Sequence, residues 1–142
     1  MAPFWDHEVA RWVDDRLDHA GPFPVGSCQA MGVEHEGETV AGFVFHNWDP
    51  RNGIIEVSGA SEHPRWATRQ VVNTAMSYVF DTAGCQMLYA RQHIENLPAR
   101  RGWMKLGAVE SIVPRLFGRD TVGTILWLTD DAWRSSRLYK EN

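Results

Sequence analysis

The stretch 68–83 constrains the fold most. Apolar residues recur there in pairs every four positions, Val71 with Val72, Ala75 with Met76 and Val79 with Phe80, which lays one apolar stripe along a helix. Gly84 follows, and glycine commonly ends helices by taking a left-handed backbone. The run before the helix, "GIIEVSGAS" (53–61), reads as a strand, and "CQMLYARQH" (85–93) after it reads as a buried strand. A strand, helix, strand unit of this length makes its two strands parallel neighbours.

The remaining segments add antiparallel strands to that unit. Near the start, "HEVARWVDDRLDHA" (7–20) has a helical pattern with Val9, Trp12, Val13 and Leu17 on one face and Asp6 placed to cap it, and "GPFPVG" (21–26) breaks it. "SCQAMGVEHEGETVAGFVFHNW" (27–48) reads as two strands joined at Glu36 and Gly37, and the turn "DPRNG" (49–53) leads into the strand at 54. Beyond the crossover, "ENLPARRGWMKLG" (95–107) reads as a short helix with Asn96 as cap, Pro98 in the first turn and Gly107 past the end. "AVESIVPRLF" (108–117) and "TVGTILWL" (121–128) read as two strands around "GRD", and "TDDAWRSSRL" (129–138) as a polar tail with a helical turn. The predicted order is helix, three strands, helix, strand, helix, two strands: a single α/β domain over 1–142 with a mixed, mostly antiparallel sheet.

Composition narrows the partners. A net charge of -4 and a pI near 5.8 argue against a nucleic-acid binder, which would show a basic stripe. No apolar run has the length of a membrane span and the first residues lack a basic-then-apolar leader pattern, so the expected location is the cytoplasm. Cys28 and Cys85 stand alone and are expected as thiols rather than a disulfide. The six histidines show no ligand spacing, so no metal site is expected.

"GETVAGFVF" (37–45), "QMLYARQHIENLPARRGWMKLGA" (86–108) and "LTDDAW" (128–133) carry a resemblance. The chain resembles the GCN5-related N-acetyltransferase (GNAT) superfamily over nearly its whole length, with "LTDDAW" similar to the subgroup that modifies N-termini of ribosomal proteins and the compact domain similar to phage-encoded members. The resemblance implies a sheet with a V-shaped opening between its fourth and fifth strands, where acetyl-CoA lies. It implies that the pantetheine arm pairs with the backbone around Val57, Ser58 and Ala60, and that the pyrophosphate rests on amides opening the next helix. The acceptor amine attacks the thioester directly. Unpaired N–H groups at a helix N-terminus attract anions, which gives this placement its physical sense.

The family's glycine-rich pyrophosphate loop aligns with "HPRWAT" (63–68), so Trp66 and Thr68, with Ala67 between them, stand where small residues let phosphate approach. Arg65 and Arg69 flank that turn with guanidinium groups suited to phosphate, while the Trp66 side chain either plugs the site or turns aside. Trp103 takes the position where many members carry an acidic tyrosine. Tyr89 is the candidate replacement as general acid, or else a packing aromatic. Glu56 is the candidate base beside the cleft, or else an outward strand glutamate. Asn96 is both a helix cap and a candidate cofactor contact, and His63 and His93 are further proton-relay candidates. Trp5, Trp48, Trp66 and Trp133 lie in turn or terminal contexts and read as a binding surface or as caps on the sheet ends.

Two readings follow. One is an acetyltransferase acting on a primary amine, either a small molecule or a protein N-terminus or lysine. The other is a GNAT-like binding or assembly module whose partner is a second copy, or a viral or host protein as for virion-associated phage domains.

Overall fold

The computed structural model describes residues 1–17, 23 and 28–139. Seven strands form one sheet in the order β1-β2-β3-β4-β5-β7-β6, and every neighbouring pair is antiparallel except β4 and β5. The strands are β1 (Ala2–Trp5), β2 (Gln29–His35), β3 (Glu38–Asp49), β4 (Ile54–Ser61), β5 (Met87–His93), β6 (Val109–Val113) and β7 (Gly123–Thr129). Among the described residues four α-helices accompany them: α1 (Glu8–Asp14), α2 (Arg69–Ser77), α3 (Leu97–Lys105) and α4 (Asp130–Arg134).

The predicted α/β class and the parallel crossover between β4 and β5 are both present. The sequence reading missed β1, which adds an antiparallel edge to β2 through four register pairs. Four residues containing a proline carry little periodicity, and this strand exists because β2 offers an edge. The helix expected over 7–20 is α-helical over Glu8–Asp14, and residues 18–22 and 24–27, which hold the predicted break, lie outside the described residues.

The helix expected over 68–83 is α-helical to Ser77 and then widens into a π turn over Tyr78–Thr82 before Gly84, which takes φ 69°. Its apolar stripe does what its spacing requires. Val71, Val72, Ala75, Met76, Val79 and Phe80 are all buried, packed on Ile55, Val57, Leu88 and Leu128 of the central strands. Fully burying each of the Val, Met and Phe side chains contributes roughly 1.5–3 kcal/mol, so this stripe is what seats α2 on the sheet. A smaller cluster on the opposite face, Val9 and Val13 with Ala30 and Val44, seats α1.

Two local features shape the neighbourhood of β4. At the β2–β3 turn Glu36 and Gly37 both take positive φ, 53° and 83°, which sets the hairpin register. At the far end of β3 the register shifts between His46 and Asp49, and Asn47 there has φ 53°; this bulge re-aims the Asn47 side chain toward β4. Of the tryptophans expected at the surface, Trp5 and Trp48 are exposed. Trp133 is instead 2% exposed, because α4 folds it into the main core against Tyr139. Cys28 and Cys85 are thiols rather than the two halves of a disulfide.

Candidate functional site

A ladder that stops creates the site. β4 and β5 pair at only three positions, Ile54 with Met87, Ile55 with Leu88 and Glu56 with Tyr89. Past Glu56 the strands part: β4 runs on to Ser61 in register with β3 alone, and β5 runs on to His93 in register with β7 alone. The edge of β4 over 57–60 therefore faces an opening, with backbone donors and acceptors available there.

The turn after β4 leads to the start of α2. Thr68 caps the helix, its Oγ1 accepting from the Val71 N–H at 3.3 Å, and the first-turn amides of Arg69 and Gln70 remain as donors at the positive end of the helix. Trp66 is half-buried and its ring lies 4.6 Å from that of Phe43, which in turn covers Gly59, where an added Cβ would come within 2.3 Å of the Phe43 ring. Arg65 and Ala67 are exposed, and the Arg65 N–H donates to Nδ1 of His63 at 3.0 Å. The Arg69 guanidinium donates to the Arg137 carbonyl at 2.7 Å, so it ties the C-terminal segment to α2. Asn73 reinforces this tie through the Leu138 carbonyl, at 2.6 Å.

At the apex of the opening sits Glu56. Its carboxylate is 3% exposed and both oxygens accept hydrogen bonds, from Asn47 Nδ2 at 2.9 Å and from Arg91 Nε at 2.8 Å. Side chains alternate along a strand, so Glu56, Ser58 and Ala60 share the face of the sheet that carries α1. Tyr89 and Arg91 on β5 join Glu56 on that face. Burial pushes the Tyr89 phenol above its ordinary value, and the neighbouring Glu56 carboxylate adds to this by its charge and by hydrogen bonding. Tyr89 therefore keeps its proton throughout the neutral range. His46, across from Glu56 on β3, is buried and holds Ser58 Oγ at 2.8 Å through Nε2, with the Phe23 ring 5.0 Å from its own.

The β5 end of the opening is built by α3 and the β6–β7 loop. Asn96 caps α3, accepting from the Ala99 N–H at 3.4 Å and donating to Gln92 Oε1 at 3.1 Å. Arg100 clamps the junction: two bonds of 2.6 and 2.7 Å to Glu110 on β6 and one of 2.7 Å to the Ile94 carbonyl. The Arg100 guanidinium holds the Glu110 carboxyl below its usual range. His93 stacks on Phe117 at 3.9 Å, and Gly123 lets the loop fold back, since an added Cβ would meet Phe117 at 2.6 Å. Trp103 packs against the main core.

Sequence reasoning singled out Glu56 and Tyr89, and the structure brings them side by side at the last paired position of the two strands. It missed His46, Asn47 and Arg91. The available signal was period two: "LYARQH" sets Tyr89, Arg91 and His93 on one face, an unusual run of polar groups for an inner strand. Among the described residues no cluster of three or more His, Cys, Asp or Glu is arranged to hold a metal, and no helix is long and apolar enough to cross a membrane.

No protein-family profile matches the sequence, and no curated protein matches it. Solved structures do match its shape. The spermidine/spermine N-acetyltransferase SpeG from Vibrio cholerae, in complex with manganese ions, aligns with a TM-score of 0.75 at 13% identity, covering 95% of this chain and 96% of that one. A chimera of the Vibrio cholerae spermidine N-acetyltransferase SpeG with hSSAT aligns at 0.74 and 13% identity, covering 94% and 99%. At such identities the likeness speaks for the arrangement of strands and helices, and with the parted β4 and β5 it closes the question of architecture: this chain has the fold of the GCN5-related N-acetyltransferases.

Proposed function

We infer that this protein is an N-acetyltransferase that moves an acetyl group from acetyl-CoA to a primary amine. The observation that carries the reading is the parting of β4 from β5 after Glu56, because it leaves an unpaired edge on the strand that leads into the N-terminus of α2. Those groups fit coenzyme A: an arm with two amides suits the backbone of Val57, Ser58 and Ala60, and a pyrophosphate suits the α2 amides. Arg65, Trp66, Ala67, Thr68 and Arg69 form the rim of that phosphate end, with Asn96 at the α3 end. When bound, acetyl-CoA supplies a thioester carbonyl already activated toward an amine.

The protein's own groups then orient and move protons. Tyr89, held neutral at the apex, is the donor available to a departing group. Glu56 fixes that apex: it holds Arg91 and Asn47 by hydrogen bonds and keeps the Tyr89 proton in place through its charge. The structural neighbours bear names that include spermidine, so polyamines stand beside protein N-termini and lysine as candidate acceptors.

Calorimetry and thermal melting with acetyl-CoA test the reading first, followed by transfer assays on spermidine, free lysine and a peptide with a free N-terminus. Binding heat, a raised melting temperature and acetylated amine are expected. A chain that gives neither heat nor shift at saturating acetyl-CoA is not a transferase, and its fold then serves as a binding module.

A further inference from the structure

The transferase reading leaves a chemical gap. An amine acceptor is an ammonium ion at neutral pH and must lose a proton to become a nucleophile. Glu56 is poorly placed to take it, since both carboxylate oxygens already accept hydrogen bonds and the side chain is 3% exposed. One step further along β4, on the same face, is Ser58. It lies past the last position paired with β5 and is half-buried rather than buried. Behind it, Nε2 of His46 lies 2.8 Å from Ser58 Oγ.

We propose that Ser58 and His46 form a two-residue proton relay that deprotonates the acceptor amine. The proposal rests on the transferase reading and adds the residue that touches the acceptor, Ser58, and the base that acts through it, His46. With the imidazole proton on Nδ1, Nε2 accepts from the Ser58 O–H. The N–H bond of the ammonium breaks as Ser58 Oγ takes the proton, and the Ser58 O–H bond breaks as Nε2 takes that one. A neutral amine, an imidazolium and an intact serine hydroxyl result, with net charge unchanged; the proton later returns to water by the same route.

Position and surroundings support the pair. His46 is 7% exposed, so its ring holds one orientation, and the Phe23 ring 5.0 Å away covers it. Glu56 stands directly across on β4 in register, and the Arg91 charge is taken up on the Glu56 oxygen toward β5. Tyr89 beyond it is neutral. Cys28, one residue ahead of β2, is also neutral, its thiol pushed up by burial and then by Asp14 at the end of α1. An imidazolium at His46 thus meets no uncompensated cation among these groups.

The test uses the full-length protein, acetyl-CoA and whichever amine of the three-acceptor panel turns over fastest. In the wild type, kcat/KM should rise with pH through one inflection whose midpoint equals that of the His46 imidazole, followed by 15N NMR without acetyl-CoA. His46→Gln and Ser58→Ala should each lower kcat by about 100-fold and remove the inflection, with the KM for acetyl-CoA unchanged. Ser58→Thr, which keeps a hydroxyl, should restore most of the rate, and thermal melts identify any variant that has merely unfolded. The relay is overturned if the kinetic and NMR midpoints differ, or if a folded Ser58→Ala variant retains the wild-type pH profile. Failure of the wild type to bind acetyl-CoA would instead remove the transferase reading itself, while the NMR titration would still report on His46.

Discussion

β4 has two edges, and they have opposite fates. Toward β3 it is in register from Ala41 with Ser61 to Asp49 with Ile54, interrupted only by the bulge at His46. Toward β5 it is in register for three residues and then open. The same eight residues thus form a core ladder on one side and a largely unpaired edge on the other. A parted ladder leaves backbone groups that only water or a ligand can satisfy, so a strand edge of this kind is kept where something is to be bound.

The largest blow to this contrast should fall on the paired side. Gly59→Ala puts a methyl where Phe43 already lies, at 2.3 Å from its ring, and overpacking of this kind costs about 1–3 kcal/mol in urea denaturation. A change below 0.5 kcal/mol would mean that the β3 side yields easily and the two edges differ less than their registers imply. On the open side, Arg91→Ala strips Glu56 of its charged partner. Since Arg91 is half-exposed the loss should be about 2 kcal/mol, less than for a fully buried pair, and Glu56→Gln in the same chain should recover part of it. No recovery would show that Arg91 acts by packing instead.

Trp66→Ala probes the boundary between the edges. Its ring packs at a tilt against Phe43 of the paired side, so removal should lower stability by about 1 kcal/mol and leave acetyl-CoA affinity within about threefold. An affinity gain of tenfold or more would place the indole in the opening as a plug. The smallest effect concerns pH. The Tyr89 phenol is raised above its unfolded value, so its contribution to stability is complete below about pH 10 and is lost as pH rises through the folded value. Melts of wild type and Tyr89→Phe between about pH 9 and 11 should converge at the alkaline end, and parallel curves would exclude burial of the phenol at the apex.

Much of the architecture was legible because its signals are local and periodic. The stripe on α2, the glycine after it and the flanking apolar runs specify a strand, helix, strand unit, and handedness leaves its strands few ways to lie. Asn96 was readable as a helix cap and caps α3 in the structure, whereas Thr68, read as part of the turn, proves to cap α2. β1 was not readable, since four residues with a proline take strand form only beside β2. Of the candidate site, Glu56 and Tyr89 could be found one strand at a time. Their partners could not, because His46 and Asn47 come from the end of β3 and depend on a bulge.

The amino-acid sequence by itself determined that β4 and β5 run parallel around an amphipathic helix, and that a carboxylate and a phenol sit in their middle. Tertiary structure alone decided that the two strands part directly after that pair, that Arg91 and Asn47 occupy both oxygens of Glu56, and that His46 backs Ser58. The reason is range: helix and strand preference act between residues a few positions apart, whereas where a ladder stops and which side chains meet across it depend on packing between segments distant in the chain.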